Sequence, residues 1–269
     1  MASIYIKERE QFEAWLSTKC SEKTRFDYLS ALDKFLEDFK TIETPAQLRI
    51  LTANESKHLV LALRNFVKYL KEQNIIDTQT ALEYLDVLKV KKSGIREVYL
   101  NDDEVREAYK AIKKRGKSAE ALFLLLLFSG ARLSAIKYMI QNYNKRQLTP
   151  INDKYARYSL LLERNTKKAH YIYAPIWVFT LLEENLKKLK QYAYNTLAKK
   201  TTYKRVSANS LRKYFFTKAL ETGAAESIVD FIQGRDIQRV GSKVYLDKLK
   251  LADEFYPKIA EKLGSVVHI

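Results

Sequence analysis

A chain of 269 residues is long enough for one large domain or two ordinary ones, each burying its own core. With 46% hydrophobic and 30% charged residues but only 7 Gly and 4 Pro, the composition excludes a disordered or collagen-like chain and suits a helix-rich globular one. Lys and Arg number 48 against 32 Asp and Glu, a net charge of +16 that points to a polyanionic partner, nucleic acid before an anionic membrane, because each phosphate neutralised releases a condensed counterion. A lysine-rich surface kept for solubility is the bland alternative. One cysteine, Cys20, permits no intramolecular disulfide and makes a cysteine-built metal site hard to assemble. The N-terminus lacks the basic-then-apolar order of a signal peptide. The longest apolar run, Ala121 to Phe128, falls far short of the ~20 residues that span a bilayer. The expectation is a cytoplasmic protein with no membrane partner, no cofactor and no metal.

In chain order, the stretch 24–39 carries Phe26, Leu29, Leu32, Phe35, Leu36 and Phe39 at spacings of three and four, and 55–76 repeats the pattern with Leu59, Leu63, Phe66, Val67 and Leu70. With a helix before and a shorter one from Thr78, residues 1–88 read as a bundle of about four helices. Residues 89–96 are basic, contain Ser-Gly and lack apolar periodicity, as an interdomain linker would. Residues 97–269 form the second predicted domain. Its first helix opens at Asn101 as N-cap with Glu104 as capping-box partner, so the acidic run Asp102, Asp103, Glu104 answers the helix dipole and is not a metal site. A buried helix follows, interrupted at Ser129-Gly130, and then two strands, 157–164 and 170–176, around a polar turn. The remainder is predicted helical: 177–200, 209–223, 225–235 and a final amphipathic segment from Leu251. The predicted fold is mainly α with a small β-hairpin or sheet.

Four segments stand out in order: "SGARLSAI" with Arg132, "ERNTKKAHYIYAP" with Lys167, "NSLRKYF" with Arg212 and "SKVYLD" with Tyr245. Singly each is weak. Together, with Tyr245 standing 33 positions after Arg212, they resemble the catalytic domain of tyrosine recombinases, the family of phage and archaeal integrases. The helical bundle and basic linker resemble that family's core-binding domain, so the likeness covers nearly the whole chain. The pairing of "DFIQGR" with a later "YLD" looks most like archaeal virus and plasmid integrases.

The resemblance implies a site-specific recombinase that cleaves and rejoins double-stranded DNA at an attachment site through a 3′-phosphotyrosyl intermediate. Guanidinium groups suit charge building on non-bridging phosphate oxygens, the implied role of Arg132 and Arg212. A phenol with an ordinary pKa near ~10 becomes a better nucleophile in a strongly positive pocket, the implied role of Tyr245. Lys167, or its neighbour Lys168, would protonate the departing 5′ oxygen. The reaction further implies a homo-oligomer on DNA, a tetrameric synapse, and the segment from Leu246 onward is a candidate for packing on a neighbouring subunit.

Three positions depart from the family pattern. Asn209 stands where a His or Lys is usual, and it can hydrogen-bond a phosphate but cannot take a proton as imidazole can. Ala135 stands where an acidic residue is usual, and Arg235 replaces a histidine, where it is either a third phosphate contact or a helix-end arginine. These departures keep a rival open, a non-catalytic DNA-binding or architectural protein on the same fold. A membrane-surface or RNA-binding protein fits the charge but not the ordered set, and a type IB topoisomerase fits the chemistry less well in so compact a chain.

Overall fold

The computed structural model describes residues 1–39, 42–91, 94, 98–164, 167–235 and 242–268, with backbone alone for 161–164, 167–169 and 242–246. The chain divides into two compact units, Met1–Ile95 and Arg96–Ile269. Part of the predicted linker, residues 92, 93, 95 and 96, lies outside the described residues.

The first unit holds five helices, α1 (Ala2–Lys19), α2 (Glu22–Asp38), α3 (Pro45–Thr52), α4 (Lys57–Glu72) and α5 (Thr78–Val87). The helix absent from the sequence reading is α3, although its signals are present: Thr44 and Gln47 form a capping box and Pro45 occupies the first turn. Its core gathers the predicted stripe of α4, with Leu63, Phe66 and Val67 fully buried, against Leu29, Leu32, Phe35 and Leu36 of α2. Phe26 departs from expectation, because it is 68% exposed and does not share the buried face. Lys91 Nζ donates to the Ala53 carbonyl, so the chain leaving this bundle is still tied to it.

The second unit runs α6 (Asp102–Lys113), α7 (Lys117–Ser129), α8 (Leu133–Gln141), a short 3-10 turn, β1 (Leu148–Pro150), β2 (Tyr155–Arg164), β3 (Lys167–Pro175), α9 (Ile176–Lys190), α10 (Tyr194–Lys200), α11 (Ala208–Leu220), α12 (Glu226–Gln233) and α13 (Ser242–Val267). The strands form an antiparallel sheet in the order β1-β2-β3, with a register irregularity between Ser159 and Leu162. The strand β1 is an addition to the predicted hairpin. The predicted helix 177–200 is two helices, α9 and α10, because buried Leu197 brings α10 back to the core and Arg115 Nη1 caps its end through the Lys199, Lys200 and Thr202 carbonyls.

Helix α7 is the centre of this unit, with Ala119 and every residue from Ala121 to Phe128 buried. An all-round apolar helix of this kind requires neighbours on every side, and α6, α9, α11, α13 and β3 supply them. The Asn101–Glu104 capping box is formed as expected. Asp103 pairs with Arg106, while Asp102 accepts from Tyr214 Oη at 2.7 Å and from Lys218 Nζ at 2.9 Å. Among the described residues, no His, Cys, Asp or Glu group is arranged to hold a metal, and no helix is long and apolar enough to cross a membrane.

The Asp102 contacts tie α6 to α11 and make a pH-dependent contribution. Burial would raise the Asp102 carboxyl, but the bonds from Lys218 and Tyr214 outweigh it and hold the group below the usual aspartate range. A carboxyl depressed in the folded state adds stability above its unfolded pKa of ~3.9 and loses it as pH falls through the folded value. Asp102→Asn is therefore expected to lower the unfolding temperature at pH 7 and to flatten its decline below about pH 4, as read by thermal melts across pH.

The C-terminal segment packs at home. Ala252, Tyr256, Ile259, Leu263 and Val266 of α13 are buried in the core of their own unit, Tyr256 Oη donates to the Phe128 carbonyl at 3.0 Å, and Asp253 accepts from Arg157 and Tyr173. Those apolar positions are therefore used within their own unit, while Leu251 on the same helix is left 40% exposed.

Candidate active site

Three segments converge at one end of the second unit: the turn between α7 and α8, the first turns of α11, and the end of α12. Gly130 closes α7 in the left-handed conformation (φ +56°). A Cβ there would stand 2.6 Å from both Gln233 Nε2 and Phe215 Cδ1, so the position requires glycine on conformational and packing grounds together. This turn exposes the Gly130 carbonyl to Arg212, whose Nη1 donates to it at 2.8 Å and to the Gln233 carbonyl at 2.9 Å. The Gln233 side chain returns the contact, Nε2 donating to the Arg212 carbonyl at 2.7 Å. Gly130→Ala is thus expected to destabilise the fold by about 2–4 kcal/mol, combining left-handed strain with overpacking, and to loosen Arg212; a denaturant titration measures it.

Arg212, at 7% exposure, is buried, and its Nη2 has no hydrogen-bond partner among the described residues. Burial, reinforced by the Arg132 and Arg235 charges and opposed by Asp230, pushes its guanidinium down to about 9. It remains protonated at neutral pH, and the shift reports a cation short of negative charge. Arg132, the N-cap residue of α8, donates Nη1 to the Gly234 carbonyl at 3.0 Å, and burial followed by the Arg235 charge holds it below the usual arginine range. Arg235 follows Gly234, whose left-handed turn (φ +66°) ends α12. Arg132 and Arg212 are therefore held by backbone carbonyls, which fix geometry without neutralising charge.

A cavity of about 260 Å³ opens at the head of α11, lined by Arg212, Arg235, Asn209, Lys213, Arg205 and Ser207 among others. Ser207 and Ser210 cap this helix reciprocally, leaving Asn209 exposed in its first turn. The positive end of α11 thus faces the same space as the cations. Such a cavity suits a phosphodiester: the fork of Arg212 has a donor to give, and the surrounding charge stabilises a dianionic phosphorane more than a monoanionic diester.

The structure brings Arg132, Asn209, Arg212 and Arg235 together. Lys167 is the first residue of β3 and Tyr245 lies in the first turn of α13, but the side chains of Lys167, Lys168 and Tyr245 lie outside the described residues. Ala135 is buried in the core on α8. As parts of the site, Gly130 (read only as a helix break), Gln233 and Arg205 escaped the sequence reading. A polar Gln233 on the buried face of an otherwise apolar helix was the signal available for the second.

The family model described as archaeal phage integrase matches residues 97–262. No curated protein matches the chain. Among solved structures, a lambda integrase dimer bound to a COC′ core site is similar with a TM-score of 0.60 at 13% identity, over 87% of this chain and 97% of that one. An integrase from mycobacterium phage Brujita gives 0.41 at 13% identity (96% of each chain), and XerA recombinase 0.38 at 13% (90% and 96%). The lambda integrase likeness supports the fold, and the family match covers more than half of the sequence: this protein belongs to the archaeal phage integrases, site-specific recombinases of the tyrosine type.

Proposed function

We propose that the protein cleaves and rejoins double-stranded DNA at an attachment site through a covalent link between Tyr245 and a 3′ phosphate. The Tyr245 oxygen attacks phosphorus as its proton passes to solvent, the bond from phosphorus to the 5′ oxygen breaks, and Lys167 (or Lys168) delivers a proton to that oxygen. Arg132, Arg212 and Arg235 hold the non-bridging oxygens while charge rises on them, and Asn209 donates a further hydrogen bond. One ester replaces another, so attack by a free 5′ hydroxyl reverses the step without an outside energy source.

The observation that supports this reading most directly is the buried Arg212 Nη2, a charged donor with no partner among the described residues beside a cationic cavity. The first unit and the basic segment 89–96 bind DNA alongside, and exchange of strands between two sites takes place in a homo-oligomer, a tetrameric synapse. The lambda integrase neighbour is a dimer on its core site.

The experiment is covalent trapping. A nicked duplex carrying the element's attachment site loses the short 5′-hydroxyl fragment on cleavage and so cannot be resealed. A denaturation-resistant adduct labelled at the 3′ phosphate, formed in EDTA, is the expected result. Binding to that duplex with no adduct under any condition would sink the catalytic assignment and leave the DNA-binding one.

A further inference from the structure

We propose that Asp230, together with the ring of Phe216, is a positioning residue that sets Arg235 over the cavity, an inference that rests on the recombinase reading above. Asp230 lies in the last turn of α12, and the Gly234 turn brings the chain back so that the Arg235 N–H donates to the Asp230 carbonyl at 2.9 Å. The Arg235 side chain follows the same path, its Nη1 standing 3.6 Å from Asp230 Oδ1. From the other side its guanidinium lies 4.7 Å from the centroid of Phe216. A carboxylate and an aromatic face therefore grip one arginine from two directions.

The grip leaves Arg235 able to work. A charge-assisted hydrogen bond would be ~2.7–2.9 Å long, so the wider Asp230 contact steers the guanidinium without saturating its five donors. Phe216 stands four residues after Arg212 and so on the same side of α11, which makes that helix both the carrier of one site arginine and the platform for another. Repulsion gives the carboxylate a second use: the Arg235 charge acts against both Arg132 and Arg212, and Asp230 is the group opposing it at Arg212. Without Asp230, an exposed arginine beside two fixed cations would turn outward to solvent.

The test uses the full chain on the nicked duplex, with single-turnover cleavage rates at saturating protein and DNA affinity measured separately. Asp230→Asn should cut the cleavage rate about 10–100-fold while DNA affinity stays within ~3-fold, since the loss falls on the transition state and not on ground-state binding. Asp230→Glu should recover most of the rate, and Phe216→Leu, which keeps apolar bulk but removes the ring, should lose about 3–10-fold. The decisive comparison is a double-mutant cycle: Asp230→Asn should cost nothing further in an Arg235→Ala background, because a residue acting through Arg235 has no effect without it. Additive losses, or an unchanged rate in Asp230→Asn with a normal melting temperature, overturn the positioning role. No adduct from the unaltered protein overturns instead the reading on which it rests.

Discussion

Replacing Tyr245 by phenylalanine is expected to abolish the covalent protein–DNA adduct completely while leaving DNA affinity within about 3-fold of the unaltered protein, since one hydroxyl among many cationic phosphate contacts contributes little to binding. The helix explains why so small a change is a clean one. Tyr245 belongs to the first turn of α13, whereas the residues that anchor that helix, Ala252 through Val266, lie about two to six turns further on. Loss of one oxygen in the first turn should not unfold a helix held by those residues. The nearest tyrosine in the same helix cannot take over: Tyr256 is fully buried and its hydroxyl is committed to the Phe128 carbonyl. An adduct that persists in Tyr245→Phe would move the nucleophile elsewhere. Peptide mapping of the adduct would then identify it among the other tyrosines.

The parts of the molecule legible in the sequence are those in which local chemistry and tertiary packing agree. The α4 stripe, the Asn101–Glu104 box and the break at Ser129-Gly130 each carry a local reason that the fold keeps. Phe26 shows the limit, because three-and-four spacing says which residues share a helical face but not how much of that face is covered. The division of 177–200 into α9 and α10 was illegible for a related reason, since it is set by Leu197 and Arg115, and the latter is more than 80 positions away. At the site, the arginines were readable as charged residues near helix starts and ends. Their supports were not, because Gly130, Gln233 and the Gly234 carbonyl act through backbone oxygens that every residue possesses. Ala135 is instructive in the same way: its sequence position suggested a missing carboxylate, and the structure buries it in the core, while the carboxylate acting on these arginines belongs to Asp230 on another helix.

Arg212→Lys is expected to lower the single-turnover cleavage rate by about 10²–10³-fold, with DNA affinity changed by less than ~5-fold. The charge survives this substitution and the fork does not. Arg212 spends Nη1 on two carbonyls, Gly130 and Gln233, and keeps Nη2 for another partner. An ammonium on a flexible stem can satisfy the carbonyls or reach a phosphate, but it lacks the planar geometry that does both at once. Lysine is also the better variant for folding. Alanine would leave two buried carbonyls without their donor, at roughly 1–3 kcal/mol each, and would confuse a catalytic loss with a structural one. The same argument predicts a division of labour. Melting temperature should fall modestly in Arg212→Lys and sharply in Arg212→Ala, whereas cleavage should collapse in both. If Arg212→Lys cleaves within about 3-fold of the unaltered protein, the fork is a strut between α7, α11 and α12, and stabilisation of the phosphorane must then come from Arg132 and Arg235.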